Sequence, residues 1–324
     1  MMMKGWIVNE FGDLDVMKWG DLPRPEPAAG QVRMRVHASG MNFAETRMRA
    51  GTYSGQPLPF IVGMEAAGVV EKVGSGVTDF EVGQRVFGRV RGAHAQFVCV
   101  DAEHLLPLPD NLSFEQGAVI PVGWQTAWHA LHVVADLKPG KRVLIEAVAS
   151  SVGSAALQIA KQRGCWVAGT ASRDDKLARA REWGLDAAYN YKRENLAERV
   201  LADTSGEGVD VGLMTIGEET ATALFDSMGQ GGKIVMYGST GGRQVCFSLN
   251  IGTRNIELHS MSISTSTRFM PETMRSFREI VLPLFAKGTF KPVLDVVLPL
   301  TELKRAHQMI DERTHFGKIA LKVD

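Results

Sequence analysis

Ala147-Val148-Ala149-Ser150-Ser151-Val152-Gly153 is a run of small residues between a strand-like and a helix-like stretch. Small residues let a backbone approach a phosphate closely. A helix that begins there turns unbonded N–H groups and the positive end of its dipole toward the anion. The dinucleotide fingerprint G-x-G-x-x-G reads here as Val148-x-Ser150-x-x-Gly153, so only the third glycine, the one for close helix–strand packing, is kept. The two serines either donate hydrogen bonds to phosphate or crowd it, and they resist the positive φ that glycine adopts. About 20 residues further on, an acidic residue would take the ribose hydroxyls of NAD. This chain has Thr170-Ala171-Ser172 there, followed by Arg173 and Lys176. Hydroxyl plus cation accepts a 2′-phosphate that a carboxylate would repel, which favours NADPH. Two alternatives stay open. Arg173 and Lys176 could be solvated charges at a helix start, and Asp174 or Asp175 could bind ribose if the register slips by two.

Holding these residues in place requires a strand at Val143-Leu144-Ile145 and a helix carrying Ala155, Ala156, Leu157, Ile159 and Ala160 that stops at Gly164. The pattern continues. Strands are expected at Trp166–Ala171, Ala187–Tyr191, Val209–Ile216, Lys233–Tyr237 and Ile256–Ile263. Helices are expected at Asp174–Trp183, Asn195–Thr204 and Glu218–Met228. Such alternation implies a doubly wound parallel sheet. The preceding residues read as many short strands with closely spaced glycines, among them Lys4–Val8 and Gln31–His37, as in a barrel-like sheet. One helix at Glu272–Lys287, one at Leu303–Asp311 and a strand at Lys318–Val323 close the chain. The expected division is a nucleotide domain at 118–263 and a second domain made of 1–117 with 264–324. The ligand cleft is expected between them, facing the carboxyl ends of the parallel strands.

The chain has 324 residues, too many for one typical core. Lys+Arg and Asp+Glu balance at 36 each, which argues against a nucleic-acid or membrane-surface partner. The three cysteines are scattered, with no pair spaced for zinc or a disulfide framework. No signal-like or membrane-length apolar run is present, so a cytoplasmic protein is expected.

The order of several motifs resembles the medium-chain dehydrogenase/reductase superfamily, and within it the zinc-independent quinone oxidoreductase branch. The resemblance is carried by Gly40-Met41-Asn42-Phe43, Gly63-Met64-Glu65-Ala66-Ala67-Gly68-Val69-Val70, Trp124-Gln125-Thr126-Ala127, Asn190-Tyr191, Gly231-Gly232-Lys233-Ile234-Val235 and Gly317-Lys318-Ile319-Ala320-Leu321. It implies a GroES-like β-barrel domain plus a Rossmann sheet, and a homodimer joined through the edge strand near residues 256–263. Zinc members need a cysteine near Asn42 and a histidine where Met64 stands, so a catalytic zinc is not expected. The resemblance places Asn42 and Thr126 beside the nicotinamide and Ser150, Ser151, Val152 and Gly153 along the pyrophosphate. It places Ser172, Lys176 and Tyr191 around the 2′-phosphate. Tyr237, Gly238, Ser239, Met261 and Ser262 fall near the nicotinamide half.

The implied chemistry is hydride transfer to a quinone or an α,β-unsaturated carbonyl, with an enoyl-thioester reductase of lipid or polyketide metabolism as the close variant. A non-catalytic module that keeps the fold is the alternative of a different class. Reduction needs a dry cleft and a donor that stabilises the developing enolate or phenolate. Asn42, Arg47, Tyr53 and Thr126 are the candidates. Glu65, among small residues, reads as structural, and His129 and His132 read as packing or surface residues. No Ser-His-Asp constellation is visible in the sequence.

Overall fold

Val143, Leu144 and Ile145 are fully buried in the strand Arg142–Ile145, which has parallel neighbours on both sides. A strand hidden on both faces reads as a continuous apolar run. The computed structural model describes residues 1–324 apart from 54, 219, 243, 247–249, 265–269 and 324. In space the strands run Ala187–Asn190, Trp166–Ala171, Arg142–Ile145, Val209–Met214, Met228–Met236 and Glu257–Ser260, all parallel. In chain order this is 3-2-1-4-5-6, the Rossmann arrangement, and its order reverses between the first and fourth strands. The helix Ser151–Gln162 buries Ala155, Ala156, Leu157, Ile159 and Ala160 and is followed by Gly164 at φ +69.

Two compact units result, residues 1–122 with 278–324, and residues 123–277. The second division falls at 277 rather than 263. Thr273 and Ser276 hydrogen-bond His129 and Trp128 of the second unit, at 2.6 and 2.9 Å. The first unit holds two sheets, a three-stranded antiparallel one of Met17–Pro23, Met2–Val8 and Phe60–Ile61 and a larger, mostly antiparallel one. The strands of the larger sheet run Leu294–Pro299, Lys318–Lys322, Gln31–Gly40, Glu65–Val73, Arg85–Arg89 and Leu105–Pro107, with Phe97–Asp101 also on Gln31–Gly40. The register slips twice where Gln31–Gly40 meets Glu65–Val73. Gly68 lies at that approach, where a Cβ would stand 2.0 Å from the Arg35 carbonyl oxygen.

Several elements differ from the sequence expectation. The helix expected at Glu272–Lys287 is Met270–Ser276, a wider π turn at Phe277–Val281, and Leu282–Ala286. Pro283 has no N–H for the i−4 carbonyl, so the turn before it cannot keep α-helical spacing. The helix expected at Glu218–Met228 is shortened to Ala221–Asp226, because the Glu146 side chain holds the backbone before it (below). The strand expected at Ile256–Ile263 is Glu257–Ser260, which leaves Met261 and Ser262 just beyond its end.

Candidate functional site

The small-residue turn of the second unit leaves its first strand at Ile145 and enters the Ser151–Gln162 helix. Ser150 is extended (φ −79°, ψ 170°), and its Oγ accepts the Gly153 N–H at 3.0 Å. The left-handed residue of the turn is Ala147, at φ 49°, so neither serine bears the strain the sequence suggested. Ser151 Oγ lies against the backbone of Gly123, where a Cβ would come within 2.0 Å of it. Gly153 has no room for a side chain, since a Cβ would stand 2.4 Å from the Ala147 oxygen. Helix geometry leaves the Ser151 and Val152 N–H groups unbonded, at the positive end of a 12-residue helix. Two buried polar atoms stand at the carboxyl ends of the second and fifth strands without a hydrogen-bond partner, Thr170 Oγ1 and Tyr237 Oη. Ser150 and Thr215 face the Tyr237 hydroxyl, and burial pushes its pKa up. A turn shaped for an anion, with orphaned hydroxyls beside it, fits a dinucleotide.

At the end of the second strand, Ser172 is half-buried and Arg173 is exposed. Arg173 grips Asp175 through both carboxylate oxygens, at 2.9 and 2.8 Å, which holds the Asp175 carboxyl below the usual range. Asp174 accepts Asn190 Nδ2 and Arg193 Nη1, both at 2.6 Å. Both acids are therefore engaged by local partners. Half-buried Lys176 and Tyr191 lie in the same segment pair, with Lys192 5.5 Å from the Tyr191 ring centroid.

The first unit buries a polar chain. Lys318, 4% exposed, donates to Met41 O at 2.9 Å, to Asn42 Oδ1 at 2.6 Å and to Glu65 Oε1. Asn42 Nδ2 donates to Glu65 Oε1 at 3.0 Å and to Glu45 Oε1 at 3.1 Å, while Glu65 Oε2 accepts the Val122 N–H at 2.7 Å. Asn42 and Glu45 also form a capping box at the start of the Phe43–Arg49 helix. Glu45 continues to His94 Nε2 at 2.7 Å, and His94 Nδ1 to Ser39 Oγ at 2.8 Å. This is a Ser-His-Glu chain that the sequence did not reveal. Its three members are 0% exposed, so it braces the unit and offers no substrate access. The Asn42 amide N–H groups are directed at carboxylates, which leaves Asn42 as a fixed surface rather than a free donor.

Arg47 is half-buried with its guanidinium 5.3 Å from the Phe43 ring centroid, and Tyr53 is half-buried. Thr126 is buried in the Pro121–Trp128 helix. Gly238 and Ser239 follow the fifth strand with Tyr237, and the Met261 N–H donates to Met236 O at 2.9 Å. His129 bonds Thr273, and His132 stacks on Trp128 at 4.3 Å, as packing residues do. Sequence reasoning missed Glu146, Arg193 and Lys318. A lone charge at the end of an apolar strand, as in Val-Leu-Ile-Glu or Lys-Ile-Ala-Leu, was the available signal. Among the described residues no three His, Cys, Asp or Glu side chains converge as a metal-ligand set.

Residues 28–110 match the family described as the alcohol dehydrogenase GroES-like domain, and residues 151–287 the one described as zinc-binding dehydrogenase. The chain is 32% identical to the quinone oxidoreductase of Rattus norvegicus over 99% of its own length and 98% of the relative's. A mycobacterial protein, Rv1454c, solved in complex with NADPH, superposes with a TM-score of 0.91 at 29% identity, covering 99% of this chain and 100% of that one. The CurK enoyl reductase superposes at 0.89 with 25% identity, covering 99% of both. A barrel of GroES-like type joined to a Rossmann sheet defines an oxidoreductase of the alcohol-dehydrogenase-like class. The chain belongs to the medium-chain dehydrogenase/reductase superfamily, in its quinone oxidoreductase-like branch.

Proposed function

We propose that the protein is an NADPH-dependent reductase that transfers a hydride to a quinone or an α,β-unsaturated carbonyl without a catalytic metal. The observation that carries this reading is the pairing of an anion-shaped turn at 147–153 with hydroxyls and cations, Ser172, Arg173, Lys176 and Tyr191, after the second strand. NADPH, when bound, supplies the hydride. The Ser151 and Val152 N–H groups hold the pyrophosphate, with Gly153 keeping the helix close. Ser172, Lys176 and Tyr191 hold the 2′-phosphate, and Arg173 adds positive potential although Asp175 partly neutralises it. Tyr237, Gly238, Ser239, Met261 and Ser262 border the nicotinamide half, with Asn42 and Thr126 beside the ring. Arg47 and Tyr53 are the donors proposed for the oxyanion that develops on the substrate.

The metal-free reading is supported by the chemistry of the first unit. The oxygens of Met41, Asn42 and Glu65 are taken up by the buried Lys318 ammonium, and Met64 is no zinc ligand. Similarity to an enoyl reductase favours an enoyl thioester as the second substrate class. The strand Glu257–Ser260 ends the sheet on one side, and it is the proposed homodimer edge. The test is thermal unfolding with NADPH and NADH separately. At 100 times its dissociation constant a ligand adds about 2.7 kcal/mol of stability. A shift with NADPH, followed by its oxidation in the presence of a quinone, an enal or an enoyl thioester, supports the reading. No shift with either nucleotide overturns it in favour of a non-catalytic module.

A further inference from the structure

Glu146 follows the central strand of the Rossmann sheet and immediately precedes the small-residue turn. It is 0% exposed. Its main-chain N–H donates to Leu213 O at 3.0 Å. Its side chain reaches across the same gap. Oε2 accepts the N–H groups of Thr215 and Ile216 at 2.8 and 2.7 Å, and Oε1 accepts the Thr220 hydroxyl at 2.5 Å. The gap lies between the first and fourth strands, where the sheet order reverses. Such a reversal is where an α/β sheet opens its ligand crevice.

The segment held by Glu146 supports the next loop. Thr215 O and Ile216 O accept the N–H groups of Thr240 and Gly241, each at 2.8 Å, and Met214 O accepts that of Tyr237 at 3.0 Å. A Cβ on Gly238 would stand 2.7 Å from Thr215 Oγ1. One carboxyl group therefore carries two loops, 215–220 directly and 237–241 through it. No lysine, arginine or histidine among the described residues is ion-paired with Glu146. A carboxylate buried without a cation is costly, and its donors offset only part of that cost.

We propose that Glu146 is a positioning residue of the nucleotide site, an internal acceptor that fixes both loops against the bound dinucleotide and takes up a proton as the pyrophosphate settles at the adjoining turn. The inference rests on the nucleotide reading above. Burial already raises the Glu146 carboxyl, and a second anion nearby raises it further. The titratable group facing it is the Tyr237 phenol, from the end of the fifth strand. Among the described residues of the loop after the fourth strand, Thr215, Ile216, Gly217 and Thr220 hydrogen-bond to it, and none of these titrates. Binding thus gains a proton, and affinity falls as pH rises.

Isothermal titration with NADH from pH 6 to 9 tests this. NADH is the probe because the 2′-phosphate of NADPH, a phosphate monoester, titrates near pH 6 itself. Glu146→Gln keeps an acceptor for the two N–H groups and is expected to bind like the wild type near pH 6 with a flattened pH profile. Glu146→Leu, similar in size but without an acceptor, is expected to lose roughly 10- to 100-fold in affinity. Thr220→Val removes one donor, is the milder variant should the leucine protein not fold, and is expected to lose about threefold. Wild-type affinity in both Glu146→Leu and Thr220→Val, or an unchanged pH profile in Glu146→Gln, overturns the inference while leaving the nucleotide site standing. Failure of the wild type to bind NADH or NADPH at any of these pH values overturns both.

Discussion

Replacing Lys318 with methionine puts the buried chain of the first unit under the sharpest stress. The ammonium is 4% exposed, and its partner Glu65 is 0% exposed. Removing one partner from a buried ion pair leaves an uncompensated charge and costs about 3–5 kcal/mol. Two features set where in that range the cost falls. Glu65 keeps N–H groups from Asn42 and Val122, which soften the loss. Met41 O and Asn42 Oδ1, however, lose their donor in a site closed to water. The expected destabilisation is about 4 kcal/mol. In a unit of this size each kcal/mol lowers Tm by about 2–4 °C, so Tm falls by about 8–16 °C. Urea unfolding followed by circular dichroism and by tryptophan fluorescence measures the effect. Adding Glu65→Gln removes the stranded charge but keeps an acceptor for Val122, and is expected to recover about half of the loss. A cost for Lys318→Met below about 1 kcal/mol would refute the reasoning, because it would mean that water reaches the pair.

His307 is fully buried beside Arg49, with Nε2 unpartnered, and burial holds its pKa well below the ordinary value. The unfolded chain takes up this proton below about pH 6.5 while the folded one does not, so stability is full above that pH and falls below it by up to about 1.4 kcal/mol per pH unit; urea titrations at pH 7.5 and 5.5 are expected to show the loss, and His307→Gln to flatten it. Lys176→Ala is expected to weaken NADPH by about tenfold and NADH little, and an equal loss for both, measured by titration calorimetry, would remove the 2′-phosphate assignment. Ser150→Ala deletes the cap on the Gly153 N–H and is expected to cost about 1 kcal/mol in thermal unfolding. The double change to glycine at 150 and 151 is expected to preserve or tighten nucleotide binding, since it frees that N–H, and a marked loss would assign the serine hydroxyls as ligands.

The sequence by itself determined the elements whose signal is local. A β-branched run, a small-residue turn and an alanine-rich stretch ending in glycine specify strand, turn and helix without reference to the rest of the chain, and Arg142–Ile145 and Ser151–Gln162 follow that pattern. The βα alternation and the order of several motifs were likewise enough for the family and the fold class. What Ser150 does was not legible from residue type alone. Its φ of −79° depends on Ala147 taking the left-handed bend, and that is settled by the close packing of Gly153 on the Ala147 carbonyl.

Tertiary structure alone decided the long-range polar partnerships. Lys318 meets Asn42 and Glu65 across 276 and 253 residues of chain, and Glu146 meets Thr215, Ile216 and Thr220 across about 70. No periodicity encodes such pairings. They form because a charged side chain at the end of an apolar strand is carried into the interior by its neighbours, and there, without water, it must find whatever donors or acceptors the other strand ends present.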